Sequence, residues 1–423
     1  MRILLLGSGG REHALARKLI QSPHCESLFI APGNPGTAQC GTNVALSLAD
    51  FESIATFCLD HQIHQLVVGP EEPLVKGIYN YFAETPSLSH IQVIGPSKEA
   101  AQLEGSKAFA KRFMQDHGIP TAAYRSFNAT NFNEGINYLS LHSLPIVLKA
   151  DGLAAGKGVV ICQTHEEAQS EFKAMIQEQK FGDASANVVV EEFLTGIECS
   201  FFVLSDGEHY HLLPSAKDYK RIGEGDTGLN TGGMGAISPV PFVDEVFTQK
   251  VTERIIVPTL HGLQKENLIY KGFIFIGLIK VNEDPYVIEY NCRMGDPETE
   301  VVMPRLESDL VDLFQHVSKG TLHQTNCILR DEAAATVVLV SQGYPEAYEK
   351  NKIITLPESS DSIIFHAGTQ QDDGNLMTAG GRVMAITSLH NELSLALKMS
   401  YQTIDQIHFD GKTFRRDIGY EFL

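Results

Sequence analysis

Over residues 1 to about 100, short apolar runs alternate with stretches in which apolar residues recur at helical spacing. Ile3–Leu6, Ser27–Ala31, Leu66–Val68 and Gln92–Ile94 predict buried strands, and Glu12–Gln21, Phe51–His61 and Leu74–Phe82 predict helices. This is βαβ spacing, the pattern of a parallel sheet covered by helices. The strands end in Gly7-Ser8-Gly9-Gly10, Pro32-Gly33-Asn34-Pro35-Gly36, Gly69-Pro70-Glu71 and Gly95-Pro96-Ser97. Such loops collect at the carboxyl edge of the sheet, where folds of this kind bind ligands.

The pattern changes near residue 101. A helix is predicted over Ala100–His117, then strands over Ile146–Lys149, Val159–Cys162, Val188–Glu192 and Tyr286–Asn291. These strands flank loops rather than long helices, which gives residues 101–320 an α+β character. Beyond about residue 330, Ala333–Val340, Ile363–Ala367 and Gly381–Ile386 read as strands and Glu392–Tyr401 as a helix. The fold class expected is α/β and α+β multidomain, and 423 residues is about three domains' worth.

Composition narrows the function classes. The net charge of −19 argues against non-specific nucleic-acid binding and against anionic membranes. No apolar run approaches the ~18 residues of a membrane span. The first apolar run stops at Gly7, too soon for a signal peptide, and is expected to be a strand. The seven cysteines contain no CxxC pair, so reduced, buried thiols of a cytoplasmic protein are expected rather than a zinc site or disulfide scaffold.

Five segments carry candidate chemistry. Gly7-Ser8-Gly9-Gly10-Arg11-Glu12-His13 follows a strand and opens a helix, so its backbone N–H groups suit a phosphate. A tight turn remains open as an alternative. A dinucleotide site fits less well, because Ala31-Pro32-Gly33-Asn34 stands where a ribose-binding carboxylate belongs. Lys149 to Val159 has the look of a P-loop, but Gly158 follows Lys157 and a strand resumes. A hairpin closing over phosphates is the better expectation. Lys149 and Lys157 would neutralise charge, and Gly156 and Gly158 would let N–H groups approach; a solvated loop is its rival. Glu191-Glu192-Phe193-Leu194, with Glu198 beyond, can offer edge backbone groups to an adenine and a carboxylate to ribose hydroxyls, though acidic strand ends are often merely solvated. Lys217-Asp218-Tyr219-Lys220-Arg221 and the glycines up to Gly235 form a basic, glycine-rich stretch in an acidic chain; a mobile surface loop is the competing reading. On the last strand, Glu289, Asn291 and Arg293 share one face. A carboxylate and an amide oxygen two residues apart suit Mg²⁺, and an arginine beside them suits a transferring phosphoryl group. Cys292 faces the other way, as a core thiol.

In that order these segments resemble the ATP-grasp ligases, and within them the phosphoribosylamine–glycine ligase (glycinamide ribonucleotide synthetase) family of purine biosynthesis. The resemblance is carried by Gly7–Leu15, Ala31–Gly36, Val68–Gly77, Gln102–Phe109, Lys149–Val160, Glu191–Glu198, Asp226–Pro239, Glu289–Thr299, His366–Thr369 and Arg416–Gly419, essentially the whole chain. It implies an N-terminal α/β domain over 1–101, an ATP-grasp domain over 102–330 with a mobile lobe at about 121–190, and a C-terminal α+β domain over 331–423. It implies ATP and Mg²⁺ or Mn²⁺, with glycine and 5-phosphoribosylamine as substrates. Phosphoryl transfer to the glycine carboxylate would give an acyl phosphate, which the amine then attacks. Neither nucleic acid nor membrane takes part, and a cytoplasmic monomer is expected.

Carried over residue by residue, Lys107 and Lys149 match phosphate contacts, as do Gly156, Lys157 and Gly158 of the hairpin. Glu191, Glu192, Phe193 and Leu194 match the adenine hinge, and Glu198 the ribose contact. Glu289 and Asn291 match the metal ligands. Arg293, Lys149, Asp218 and Lys220 are the catalytic candidates, and Gly9, Gly10, Asn34, Glu71, Arg221 and Arg293 the substrate contacts. The chain departs from the family's usual residues at Lys217, Tyr219, Leu229, Met294 and Glu300. Gly277 stands where many ATP-grasp enzymes carry a second metal carboxylate.

Overall fold

The computed structural model describes residues 1–153 and 158–423. The strand Arg2–Gly7 shows how the first domain is built. Ile3, Leu4, Leu5 and Leu6 are all fully buried, and their alternation sends Leu4 and Leu6 into one core and Ile3 and Leu5 into another. A strand covered on both faces needs no polar positions, which is why it reads as an unbroken apolar run. It pairs in parallel with Ser27–Pro32 and Gln65–Val68, and Gln65–Val68 pairs in parallel with Gln92–Pro96. Helices Gly10–Leu19 and Phe51–Asp60 lie within the predicted stretches to within two residues. The second begins at Asp50, whose carboxylate accepts the N–H of Ser53.

Two predicted helices are broken. Leu74–Phe82 divides at Gly77, which is left-handed (φ +92°), closing the helix Glu71–Lys76 and opening Ile78–Glu84. Ala100–His117 divides at Ser106, whose extended backbone ends Gln102–Gly105 and whose hydroxyl caps Lys107–Asp116 through the N–H of Phe109. Helices also form at Glu245–Val251, Val257–Lys265, Thr299–Arg305 and Leu310–Lys319, where the sequence reading placed none.

The parallel strands do not end the first sheet. The twelve-residue strand Tyr270–Val281 joins it antiparallel at Tyr270↔Pro96 and Lys271↔Gly95, then pairs with Ile197–Ser205 and Asp284–Asn291. N-terminal and central regions thus share one nine-stranded sheet. A separate four-stranded antiparallel sheet is formed by Tyr124–Asn128, Asn187–Glu192, Ile146–Ala150 and Val159–Cys162. With helices Phe132–Leu141 and His165–Ile176 it encloses its own core around Phe127, Leu139, Leu148, Phe172 and Val190. A third sheet contains Ala333–Ser341, Arg382–His390 and Ile363–His366, packed on helix Leu393–Gln406. Lys217–Asp218 and Gly235–Ser238 from the middle of the chain also belong to it, so this sheet reaches across the boundary expected near residue 330. The described architecture is the mixed α/β and α+β multidomain fold that the pattern predicts. No helix among the described residues is long and apolar enough to cross a membrane.

Candidate active site

A cavity of about 270 Å³ is lined by Glu71, Lys107, Lys149, Gly158, Glu191, Asp218, Lys220, Glu289, Asn291 and Arg293. Ten of the residues singled out from sequence therefore meet in one place, although they come from separate elements of the two larger sheets, the small sheet and the helix Lys107–Asp116. Lys149 reaches from the small sheet to the carbonyl oxygen of Ile288 at 3.3 Å, across the cavity wall.

One wall is cationic. Lys107 and Lys111 stand one turn apart on the same helix, and both line the cavity. Glu191 is buried between Lys111 (3.0 Å) and Lys149 (2.9 Å), both through Oε2. Its Oε1 is buried with no hydrogen-bond partner among the described residues. Burial lowers the Lys111 ammonium to about 8, against the pull of Glu191. Burial likewise lowers Lys107, partly offset by the charge of Glu289. The helix is anchored to the glycine-rich loop by Asp151, whose Oδ1 accepts from Ser106 Oγ (2.9 Å) and the N–H of Ala108 (2.7 Å).

The opposite wall carries Glu289, Asn291 and Arg293. Glu289 makes no side-chain hydrogen bond or ion pair among the described residues, and Asn291 Oδ1 accepts a single one, from Arg293 Nη2 at 3.2 Å. Arg293 is held by Glu104 (2.6 Å) and Glu71 (3.3 Å). Burial opposes its charge, but these two carboxylates raise its pKa above the ordinary range. Burial in turn raises Glu71, yet Arg293 and Arg11 outweigh it and leave that carboxyl below its usual value. Cys292 is buried, as expected, with Sγ 3.1 Å from Glu104 Oε2.

At the third wall Lys220 pairs with Glu198 (2.8 Å) and lies 3.9 Å from Asp218. Asp218 raises the Lys220 pKa most, followed by Glu198, and Lys220 lowers Glu198. Lys217 and Tyr219 flank Asp218 but serve a different partner. Lys217 pairs with Glu421 at 3.2 Å, and the Tyr219 hydroxyl donates to the same carboxylate at 2.8 Å. Two departures from the family's usual residues thus grip the C-terminal segment from behind the strand that presents Asp218.

Several expected residues lie elsewhere. Glu192 does not line the cavity; its carboxylate accepts the N–H of Ala123 at 2.8 Å. Phe193 is exposed and Leu194 half-buried, and their N–H groups make no hydrogen bond among the described residues. Arg221, expected at the substrate, turns instead to the carbonyl of Gly228 at 2.8 Å, within the hairpin Arg221–Gly223/Thr227–Asn230. Asn34, also expected at the substrate, is 6% exposed and fully engaged: Nδ2 donates to Ser8 and His366 carbonyls, and Oδ1 accepts from Gly36 and Thr37. It is a scaffold residue joining three loops. The Gly9 N–H, expected to meet a phosphate, is held by Glu12 at 2.7 Å, and the Arg11 N–H by Asp296 at 3.3 Å. The start of that helix is thus lined with carboxylates rather than left as an open anion nest. Gly156 and Lys157 lie outside the described residues.

Lys111, Glu104 and Glu298 also line the cavity, although the sequence pattern assigns none of them a role. Lys111 had a signal, four residues after Lys107 on the same helical face. Glu104 and Glu298 had none, because their roles arise from contacts with distant parts of the chain.

The fold and the cavity define an ATP-grasp protein. The biotin carboxylase domain of Hydrogenobacter thermophilus 2-oxoglutarate carboxylase, solved with MgADP and bicarbonate, superposes with a TM-score of 0.74 over 97% of this chain and 91% of that one. At 16% identity this likeness concerns the fold. The N, ATP-grasp and C domain models of phosphoribosylglycinamide synthetase match residues 1–104, 105–299 and 334–421. The chain belongs to the phosphoribosylglycinamide synthetase family. The phosphoribosylamine–glycine ligase of Vibrio parahaemolyticus is 46% identical over 100% of this chain and 99% of its own length. That of Pasteurella multocida is 45% identical, with coverages of 99% and 98%. The crystal structure of the Thermotoga maritima phosphoribosylamine–glycine ligase gives a TM-score of 0.86 at 37% identity, covering 99% of this chain and 100% of that one.

Proposed function

We propose that this chain is an ADP-forming carbon–nitrogen ligase that joins glycine to 5-phosphoribosylamine, giving glycinamide ribonucleotide for purine biosynthesis. The observation that carries this reading is the meeting of Lys107, Lys149, Glu289, Asn291 and Arg293 in one cavity. The chain around it matches the family's ligases from end to end.

ATP-grasp enzymes use ATP with Mg²⁺ or Mn²⁺. The donor set fits such an ion: Glu289 offers a carboxylate free of protein partners among the described residues, and Asn291 an amide oxygen. Mg²⁺ takes few protein oxygens and completes its shell with water and phosphate. Bound there, it supplies charge neutralisation at the phosphates of the nucleotide.

The chain's own groups do the rest by placement. Lys107 and Lys149 meet the phosphates, with Gly158 beside them in the cavity lining. The N–H groups of Phe193 and Leu194 and Oε1 of Glu191, all without a partner among the described residues, supply hydrogen-bonding groups for the adenine; Glu192 holds the strand end in place. Glu198 takes the ribose hydroxyls. Arg293 orients the glycine carboxylate for phosphoryl transfer and stabilises the charge that develops, while Asp218 and Lys220 bound the reacting region. The resulting glycyl phosphate is attacked by the amine of phosphoribosylamine, which lies toward Glu71. No protein nucleophile is needed; the cavity contributes orientation and exclusion of water.

The test is ADP release with Mg-ATP, glycine and freshly generated phosphoribosylamine, each omitted in turn. ADP that requires all three supports the ligase. ADP that forms without glycine, or not at all, overturns it. The same proposal places the enzyme in the cytoplasm as a monomer. Its seven cysteines are all free, which suits a reducing compartment, and exposed apolar residues such as Leu141, Val246 and Ile353 stand on separate elements. Light scattering in solution checks the mass.

A further inference from the structure

The carboxylates of the cavity differ in one respect. Glu191 lies between two lysines, Glu71 and Glu104 hold Arg293, Asp218 stands near Lys220, and Glu289 is assigned to the metal. Asp296 pairs with Arg382 at 3.1 Å. Glu298 alone has no such role. It is 4% exposed, lines the cavity, and makes no side-chain hydrogen bond or ion pair among the described residues. A buried carboxylate without a partner is costly unless something cationic meets it. Burial, and then the charge of Asp218, push its carboxyl up to about 8.

The proposed reaction brings one cation that no group has yet been assigned to hold. Glycine enters as a zwitterion; its carboxylate is phosphorylated and its α-ammonium is left unreacted. The two charges are separated by a single carbon, so their sites must adjoin. Arg293 and Glu298 belong to one loop, and each feels the other's charge. Between them a Cβ on Gly295 would overlap the Glu298 carboxylate, so the backbone lies close beneath it.

We propose that Glu298, with Asp218 beside it, holds the α-ammonium group of the amino-acid substrate and is a specificity-determining residue of the reaction. This rests on the ligase reading above. Glu298 selects an α-amino acid over a carboxylate of the same size that lacks the ammonium, while Arg293 holds the carboxylate that both share.

Glu298→Gln in the full chain tests this through steady-state ADP release, with glycolate as competitor. Glycolate has the glycine skeleton with a hydroxyl in place of the ammonium. The expected result is a rise in KM for glycine of about 10- to 100-fold, the worth of a charge-assisted contact. KM for ATP and for phosphoribosylamine should stay within about twofold, and so should the inhibition constant of glycolate, so the preference for glycine falls by the same factor. Glu298→Asp, which keeps the charge, should fall between. An unchanged KM for glycine overturns the proposal, as does equal weakening of glycine and glycolate, or a rise confined to phosphoribosylamine. Failure of the wild-type chain to need glycine would instead overturn the ligase reading.

Discussion

Glu191→Gln removes one charge from the cationic wall and changes little else, because the amide keeps the size and one oxygen of the acid. Lys111 and Lys149 then lose their shared counter-ion. Lys111 already sits at about 8, and without Glu191 it falls further. It can escape an unpaired buried charge by giving up its proton, which costs up to about 1.4 kcal/mol at pH 7 and about twice that at pH 6. Lys149 keeps its bond to the Ile288 carbonyl but loses a charge-assisted contact of about 1.5 kcal/mol. The total near pH 7 is about 3 kcal/mol, which lowers the thermal midpoint of a chain this long by about 3 to 4 °C. The chain has no tryptophan, so far-UV circular dichroism is the suitable probe. The sign with pH is the discriminating result. A lysine whose folded pKa is lowered costs stability while the unfolded chain still binds the proton, and that cost shrinks as pH rises toward the unfolded value. The variant's deficit should therefore be larger at pH 6 than at pH 8. An equal deficit at both, or one that grows with pH, refutes the reasoning.

Further outcomes follow from contacts already described. Glu289→Ala should lower Mg²⁺-dependent ADP release by at least about 100-fold. Because Glu289 makes no side-chain hydrogen bond or ion pair among the described residues, the thermal midpoint should move little; wild-type-like turnover would remove the metal assignment. Glu421→Gln should cost about 2 kcal/mol, seen as a lower thermal midpoint, because it weakens both the Lys217 pair and the buried Tyr219 hydroxyl. Glu300→Gln should stabilise the protein, and increasingly so from pH 5 to pH 8. Burial and the neighbouring Asp296 raise the Glu300 carboxyl well above its ordinary value, so the folded state must hold a proton that the unfolded chain releases. A loss of stability in Glu300→Gln that grows with pH would contradict this.

The fold was legible where one strand or helix settles its own burial. Ile3–Leu6 and Val188–Val190 are buried on both faces, and an unbroken apolar run says so without help from the rest of the chain. Breaks were harder to see. Gly77 and Ser106 interrupt stretches whose apolar spacing is continuous, and only the packing shows that each helix must turn there. In the site, the strand Asp284–Asn291 placed Glu289 and Asn291 on one face, as period-two alternation requires. Local reading failed where a side chain is consumed by a distant partner. Asn34 is drawn to His366, the Gly9 loop is filled by Glu12 and Asp296, and Arg221 folds onto its own hairpin. A glycine loop after a strand looks the same in sequence whether its N–H groups are free or taken.

The strand Tyr270–Val281 has a consequence for how the chain comes into being. Gln92–Pro96 is paired on one side as soon as the first domain is made, but its other edge waits for Tyr270 and Lys271. At ~5–20 residues per second a ribosome takes roughly 9 to 35 s to reach them. For that interval the nascent sheet presents an open edge beside buried residues such as Val93 and Ile94, the kind of template that recruits other chains. Truncated products ending before residue 270 keep that edge for good. Aggregation during synthesis should therefore depend on translation speed between residues 97 and 270, a property set by the codons and not by the finished protein.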